Sequence, residues 1–424
     1  MREKGVSSSG APVNDTPAGP TWGLVRRILA FAGLPFLSLV TPFLFLPILA
    51  RVAGAHAWLA IAVGQSVGAF IALIVALGYN TVGPTMVAMT ATDGRAAILR
   101  RSVLPRLTLF LPGAVIAVAI SALIAPDSHR LEAAVMALAM ALTGLSSSWY
   151  MVGLGRASLI VVYEILPRII ATVLAAVALL TLGQVIWYPV LLVVASVTSV
   201  GWFLLRTVGG DELMQRRPGE VRQVLRDNRS AMVIEIAGGA YNSLAVSFVS
   251  VTATTIQAAA YVSGDKLYRI GQYSVSALGN ALQGWVVEDE AREFTTRAKR
   301  SIVIHFGLGL LGFVAFALLG PLLSGLLFGA DVAIDEATAL GFGVATMGIA
   351  LGTALGRVIL VGLGARREFM TCVLIGATVG VPSILLLAAN FGAAGGAWGL
   401  AIGEAASVTC QAIYAIRRWP RQGR

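Results

Sequence analysis

Long apolar stretches, separated by short polar segments, run through almost the whole chain. Each stretch holds about 20 residues, the length at which an α-helix crosses the hydrocarbon core of a bilayer. The pattern therefore predicts an all-α polytopic membrane protein with about twelve transmembrane helices. The predicted spans are 29–51, 57–79, 102–125, 132–154, 158–182, 186–205, 230–254, 262–285, 301–327, 337–362, 368–389 and 393–416.

One polar segment is longer than the others and divides the spans into two sets of six. It is predicted to be a cytoplasmic linker with a short amphipathic helix after Pro218. Each half ends in a basic segment, a faint sign of internal duplication, and paired bundles are a common plan for transporters. The predicted domains are a disordered cytoplasmic tail at 1–22, an N-terminal six-helix lobe at 23–206, the linker at 207–229, a C-terminal six-helix lobe at 230–416 and a cytoplasmic tail at 417–424.

The composition agrees with repeated membrane crossing, because only 12% of the residues are charged, whereas a soluble domain carries about 25%. The outer loops hold only Arg51 and Arg130, and the other basic residues lie on the side of the termini or inside spans. The positive-inside rule then places both termini in the cytoplasm, and we expect a bacterial cytoplasmic membrane. The net charge of +10 fits anionic inner-leaflet lipids as partners better than nucleic acid.

The predicted eighth span, 262–285, is the most informative segment. It holds three charged residues in an otherwise lipid-compatible stretch, namely Asp265, Lys266 and Arg269. A charge at the bilayer centre costs about 2.5–3.5 kcal/mol on insertion scales, so such charges are rare and usually face a protein cavity. Two of the three are cationic, which indicates cargo with an anionic group. Asp265 and Arg269 are spaced i,i+4 and are able to pair, which would leave Lys266 as the freer charge.

Polar side chains of the same span fall on one helical face when 100° per residue is assumed. They are Arg269, Tyr273, Ser276, Asn280 and Gln283, with Lys266 close to that face. A stripe of this length indicates the wall of a wetted cavity. Hydrogen bonding to neighbouring helices is the alternative, since it also uses Ser, Asn and Gln. The cavity is favoured because helix–helix contacts rarely need two cations.

Other intramembrane charges provide further candidates. Glu164 and Arg168 are spaced i,i+4 around Pro167, and an internal ion pair in a kinked helix is the expected arrangement. Arg168 and Arg357 are also candidates for binding an anion in the cavity. Arg51 is either an interface anchor or a rim residue that meets the cargo.

Two intramembrane acids, Glu235 and Glu404, are candidate partners of the cavity cations or candidate coupling sites, with simple internal pairing as the alternative. The sequence has no Cys/His spacing typical of a metal site. It also has no phosphate-binding loop and no nucleophile motif. We therefore expect neither a metal, a cofactor nor a catalytic residue.

Four short motifs, in this order and spacing, resemble one transporter family. They are a P-x-x-x-R-x-x-G run at 47–54, a G-[FY]-N turn at 78–80, WYMVGLGR at 149–156, and YVSGDKLYR at 261–269, where Gly264 replaces the usual Ala. The pattern resembles the Wzx-type O-antigen and polysaccharide flippases. These belong to the MATE-like multidrug/oligosaccharidyl-lipid/polysaccharide exporter superfamily. The C-terminal third of the chain matches that family only in hydropathy.

The resemblance implies two six-helix lobes around a cationic central cavity. The family moves undecaprenyl-pyrophosphate-linked oligosaccharide from the inner to the outer leaflet by alternating access. By matching position the resemblance assigns Asp265, Lys266, Arg269 and Arg51 to the substrate site. It also implies surface polysaccharide biosynthesis, with a polysaccharide polymerase and glycosyltransferases as expected partners. The candidate substrate-binding residues are Lys266, Arg269, Asp265, Arg357, Arg168, Arg51, Tyr273, Asn280 and Gln283.

Two siblings in that superfamily are alternatives. A MATE-like cation-coupled drug antiporter typically carries an acid in its first helix, and the first predicted span has none. A lipid II type flippase usually has fourteen helices but carries a closely related anionic lipid. A membrane-embedded polymerase or glycosyltransferase is less well supported, because such enzymes usually have a large outer loop and this chain has short ones.

Overall fold

The computed structural model describes residues 20–210, 219–287 and 291–419. The predicted tails lie almost wholly outside these residues, as does the centre of the predicted linker. Within the described ranges the chain is helical and contains no β-strand, as predicted. The helices are α1 (Pro20–Val75), α2 (Tyr79–Met89), α3 (Arg95–Ile124), α4 (Arg130–Leu142), α5 (Ser148–Gly153), α6 (Ala157–Ile160), α7 (Leu166–Leu182), α8 (Trp187–Thr207), α9 (Glu220–Thr252), α10 (Thr255–Val287), α11 (Ala291–Phe328), α12 (Glu336–Gly352) and α13 (Arg366–Arg418).

Two glycines divide the longest helices into separate membrane crossings. Gly54 interrupts α1 with φ 79° and ψ 175°, and Gly392 interrupts α13 with φ 58° and ψ −131°. Residues with a Cβ rarely adopt positive φ, so glycine allows these breaks without a long loop. With both sides of each break counted, the described residues form twelve helical segments, at the positions of the twelve spans that the sequence predicts.

Eight described segments are long and apolar enough to span a membrane by length and composition alone, with each interrupted helix counted once. Helices α9 and α10 have 33 residues each but are not among them. Their polar and charged residues lower the hydropathy. These same two helices form the C-terminal wall of the central cavity described below.

The predicted amphipathic helix after Pro218 is not a separate element, because α9 runs without a break from Glu220 into the membrane. Val224 and Leu225 in its first turns pack on a hydrophobic cluster of the N-terminal lobe. Glu220 also pairs with Arg100 of α3 at 3.1 Å. Extending an existing helix is easier than nucleating a new one, which explains the continuous element.

The N-terminal lobe depends on close helix packing at small residues. Gly64 and Gly68 form a G-x-x-x-G face on α1, and a Cβ at either position would lie 2.4 Å from a backbone oxygen of α4. Such faces allow two membrane helices to approach closely. The glycine face packs against α4. The adjacent residues Gln65 and Ser66 therefore point elsewhere and line the space between the lobes.

The lobes meet where α1 packs against α9 and α10. Ser66 donates to the carbonyl oxygen of Ser243 at 2.6 Å and accepts from the hydroxyl of Ser247 at 2.7 Å. Trp58 Nε1 donates to Ser263 Oγ at 3.2 Å. These contacts hold the charged stretch of α10 opposite α1.

The two lobes share one local design. The run V-G-L-G occurs at 152–155 and again at 361–364, at the turn between the fourth and fifth crossing of each lobe. The last glycine of each run has positive φ, 67° and 75° respectively. Gly183 and Gly392, which also have positive φ, follow at the same spacing in both lobes. The shared pattern supports internal duplication more strongly than the basic ends of the two halves do.

Candidate functional site

A cavity of about 360 Å³ lies between the two lobes. Helices α1, α4, α7 and α8 supply its N-terminal wall, and α9 and α10 supply its C-terminal wall. Its lining therefore comes from both lobes, as expected for a central cavity. The charged residues that line it are Glu164, Arg168, Asp265, Lys266 and Arg269.

Lys266 reaches from α10 to the N-terminal lobe, where its Nζ donates to Gln65 Oε1 at 2.7 Å. Gln65 is neutral, so it holds the ammonium group in place without cancelling its charge. Among the ion pairs formed by the described residues, none includes Lys266. The ammonium charge therefore faces the cavity without a bound carboxylate.

The predicted pair between Asp265 and Arg269 is confirmed. Arg269 Nε donates to Asp265 Oδ2 at 2.7 Å, and the Asp265 side chain is only 3% exposed. Arg269 Nη2 also donates to the carbonyl oxygen of Asn242 on α9, at 3.0 Å. A carboxylate this deeply buried needs its cation. Arg269 thus holds Asp265 and joins α10 to α9, although it also lines the cavity.

The expected pair between Glu164 and Arg168 does not form in the described structure. Glu164 instead accepts a hydrogen bond from Ser146. The backbone gives the reason, because Val161–Ile165 form a π-turn immediately before the helix that contains Pro167. This wider i→i+5 turn rotates side chains away from the positions that α-helical spacing predicts. Arg168 is therefore a second cavity cation without a bound carboxylate.

Aromatic side chains close the cavity at the end that carries the short loops. Trp58 stacks on Phe328 with ring centroids 5.2 Å apart, and Phe45 stacks on Tyr188 at 4.1 Å. Trp58 and Phe45 are fully buried, so this end is tightly packed.

Arg51 lies outside the cavity, although it is one of the candidate substrate-binding residues of the sequence. Its guanidinium donates to the carbonyl oxygen of Leu326, in the last turn of α11. Carbonyls at a helix C-terminus lack intrahelical partners and attract cations. Arg51 therefore joins the N-terminal lobe to the C-terminal lobe at the closed end.

The polar stripe of α10 leads from the cavity towards the opposite end of the bundle. Tyr273 lines the cavity and is 43% exposed. Ser276 and Asn280 continue the stripe as exposed positions, while Val275 and Leu282 on the other side of the helix are buried. The polar stripe thus extends from the cavity towards the end of the bundle at which α10 and α13 finish.

A second cavity, of about 160 Å³, lies inside the C-terminal lobe. It is lined by Arg357 and Glu404, so Arg357 lies outside the central cavity in which the sequence placed it. The π-turn Thr353–Leu360 carries Arg357 and continues α12, which packs mainly against α11 and α13 and also contacts α10. Arg357 Nη2 donates to Asn280 Oδ1.

Three other predicted residues also lie away from the central cavity. Gln283 is half-buried, Asn280 is exposed, and neither of them lines either cavity. Glu235 accepts a hydrogen bond from Thr81 Oγ1 at 3.4 Å, because this part of α9 faces the N-terminal lobe. Within the described ranges, no group of three or more His, Cys, Asp or Glu is placed to hold a metal ion.

Sequence reasoning missed two polar residues that bind charged side chains of the central cavity. Gln65 is the partner of Lys266, and its signal was an amide beside Ser66 inside the G-x-x-x-G stretch of an otherwise apolar span. Ser146, which binds Glu164, follows the break between α4 and α5. No local pattern marks that contact, because it depends on the π-turn in the next crossing.

No protein-family model matches the chain, and no curated protein matches it. Solved transporter structures do share its fold. One is an inward-facing multidrug resistance MATE family transporter of the MOP superfamily, with a TM-score of 0.66, 14% identity, and coverage of 92% of this chain and 94% of that one. Another is the lipid II flippase MurJ in an inward closed conformation, with a TM-score of 0.70, 9% identity, and coverage of 92% and 87%.

The eukaryotic MATE transporter AtDTX14 is also similar, with a TM-score of 0.56, 16% identity, and coverage of 93% of this chain and 96% of that one. At such low identity these matches establish the fold alone. The chain is therefore an all-α polytopic membrane protein with the two-lobe architecture of MATE transporters and MurJ.

Proposed function

We propose that this protein is a flippase for undecaprenyl-pyrophosphate-linked oligosaccharide in surface polysaccharide biosynthesis. Alternating access of the two lobes would carry the headgroup through the central cavity from the inner to the outer leaflet of the bacterial cytoplasmic membrane. Both chain termini would be cytoplasmic. The fold shared with MATE transporters and MurJ supports transport in place of covalent catalysis. A polysaccharide polymerase and glycosyltransferases are the proposed partners.

The observation that carries this proposal is the presence of Lys266 and Arg168 in one cavity, on different lobes and without bound carboxylates. Both cations are half-buried, and withdrawing a cation from water without a counterion is costly. An anionic ligand would supply the missing charge, with Arg binding phosphate bidentately and Lys acting as a point charge. Tyr188 and Tyr273 line the same cavity and offer ring faces and hydroxyl groups to sugars.

The second cavity offers a candidate coupling site. Glu404 lines it and forms no ion pair within the described part of the chain. Asn242 lines the same cavity, and its carbonyl oxygen accepts from Arg269 of the central cavity. A change of charge at Glu404 would thus lie close to a direct contact between the two cavities. Glu235 is the other coupling candidate, at the contact between α9 and α2.

A transport assay with the purified protein in liposomes tests the function. A fluorescent undecaprenyl-pyrophosphate disaccharide placed in both leaflets would be bleached by dithionite only where it reaches the outside. With wild-type protein, dithionite should bleach nearly all of the label. With the Lys266→Gln, Arg168→Gln double variant, bleaching should stop when about half of the label is lost. Arg130→Gln is the matched control, because Arg130 is an exposed arginine paired with Asp127 outside the cavity. Equal bleaching by the double variant and wild type would refute the proposal.

A cation-coupled drug antiporter is the second candidate, and the unpaired Glu404 carboxylate favours it. Efflux of a cationic dye in a proton or sodium gradient separates the two functions. Dye efflux that needs Glu404 but survives the loss of Lys266 and Arg168 would support the antiporter. A lipid II type flippase would use the same cavity cations, and competition between lipid II and the labelled disaccharide lipid would identify the better substrate.

A further inference from the structure

The second cavity is lined by a cation and by an amide with an unused hydrogen-bond acceptor. Arg357 rests on the neutral Asn280 and forms no ion pair among the described residues. Gln411 of α13 lines the same cavity and is only 3% exposed. Its Nε2 donates to Ser407 Oγ at 3.1 Å, but its Oε1 is buried without a partner. A buried acceptor of this kind normally has a donor.

The depth of this site follows from its position along α10. Asn280 lies about 21 Å beyond Lys266 along the helix at a rise of 1.5 Å per residue. If the middle of α10 marks the middle of a core about 30 Å thick, Lys266 lies about 8 Å from the centre. Asn280 then lies about 14 Å from the centre on the other side, where the headgroups begin. Arg357, which donates to Asn280, therefore lies close to the boundary between the hydrocarbon core and the headgroups, on the side where α10 and α13 end.

The stripe of α10 connects this site with the central cavity. Exposed Ser276 and Tyr273 lie between Asn280 and Arg269 on the same helical face. Glu404, the acid of the second cavity, is separated from Gln411. It lies about 10 Å from Gln411 along α13, towards the end of the bundle that carries the short loops. The part of the second cavity around Arg357 and Gln411 thus combines a positive charge with an amide acceptor.

We infer that Arg357, Asn280 and Gln411 form a second anion site that receives the phosphate of the transported lipid at headgroup depth, before the headgroup moves to Lys266 and Arg168. The inference rests on the proposed function, because it assigns this site to the same lipid. Arg357 supplies the positive charge. Gln411 Oε1 accepts a hydrogen bond from a hydroxyl group of the headgroup. The stripe of α10 is the path between the two sites.

Native mass spectrometry of the purified protein, titrated with undecaprenyl phosphate, tests the inference. Wild type should bind two lipid phosphates per chain at saturation, and Arg357→Gln should bind one. Arg357→Lys should still bind two lipids, and Asn280→Ala should weaken the affinity of one site about tenfold. The result then does not depend on a single variant. Arg367→Gln is the matched control and should bind two, because Arg367 is an exposed arginine at the same end that lines neither cavity.

The variants also separate failure of this inference from failure of the proposed function. Two bound lipids with unchanged affinities in Arg357→Gln would overturn the second site while leaving the central cavity untouched. Two bound lipids in the Lys266→Gln, Arg168→Gln variant would instead count against the central site. Equal competition by phosphatidylglycerol at the Arg357 site would assign it to ordinary membrane lipid and would also overturn the inference.

Discussion

The two cavities contain similar side chains in different states of pairing. In the central cavity Lys266 and Arg168 lack bound carboxylates, whereas Arg269 in the same wall is held by Asp265. In the second cavity Arg357 rests on an amide and shares the space with the acid Glu404. We therefore propose that the unpaired intramembrane charges form a binding surface, whereas Arg269, whose counterion is on the next helical turn, stabilises the scaffold.

Removing both unpaired cations should have the largest effect on transport. Each charge-assisted hydrogen bond contributes about 1.5–3 kcal/mol, so the Lys266→Gln, Arg168→Gln variant should lower the initial flipping rate by about 100-fold or more. The measurement is the dithionite assay in liposomes, with protein amounts matched. A loss of less than threefold would show that these charges do not hold the substrate.

Removing the paired cation should mainly affect stability. Arg269→Gln leaves the buried Asp265 carboxylate without its partner, which should destabilise the protein by about 3–5 kcal/mol. Thermal unfolding of the detergent-solubilised protein measures this loss. The Asp265→Asn, Arg269→Gln double variant should recover much of it, and a double variant no more stable than the single one would contradict the scaffold role.

Changing the neutral partner of Lys266 should have an intermediate effect. Gln65→Leu removes the hydrogen bond that orients the ammonium group, and we expect substrate affinity to fall about tenfold. Gln283→Leu is the matched control, since Gln283 is on α10 but lines neither cavity, and affinity should stay within about twofold. Equal losses in the two variants would indicate a general effect of removing an amide from a membrane helix.

The smallest effect on substrate binding should come from the second cavity's acid. Glu404→Gln should change binding in the central cavity by less than about twofold, because Glu404 does not line it. Transport driven by an ion gradient should slow in the same variant if Glu404 is the coupling site. A loss of substrate binding as large as that of the Lys266→Gln variant would erase the distinction between the two cavities.

The crossings and one ion pair were predictable because each depends on local sequence. Twelve apolar segments follow from bilayer thickness, and Asp265 and Arg269 pair within one regular helix. The contact between Lys266 and Gln65 joins distant helices, so no local pattern shows it. The pair between Glu164 and Arg168 was wrong because a π-turn interrupts the spacing on which that prediction rested.

The predicted position of Arg357 was wrong for a related reason. Its sequence shows an arginine in an apolar span, but only packing decides which side of the lobe that span faces. The sequence likewise left Arg51 as either an interface anchor or a rim residue. Only the structure shows that it binds a carbonyl oxygen in the last turn of α11. Charges in helices can thus be found from sequence, while the choice between cavities requires the tertiary structure.

The proposed contact between Lys266 and the lipid phosphate can be measured as a dipolar coupling between the lysine nitrogen and phosphorus. The chain has only three lysines, Lys4, Lys266 and Lys299, so solid-state NMR with ¹⁵N-lysine has few competing signals. With undecaprenyl-pyrophosphate disaccharide bound, one lysine Nζ should show a phosphorus within about 4 Å, as a charge-assisted hydrogen bond requires. The coupling should vanish in Lys266→Arg and persist in Lys299→Arg. No lysine–phosphorus coupling in a sample with bound lipid, or a coupling that survives Lys266→Arg, would contradict the account.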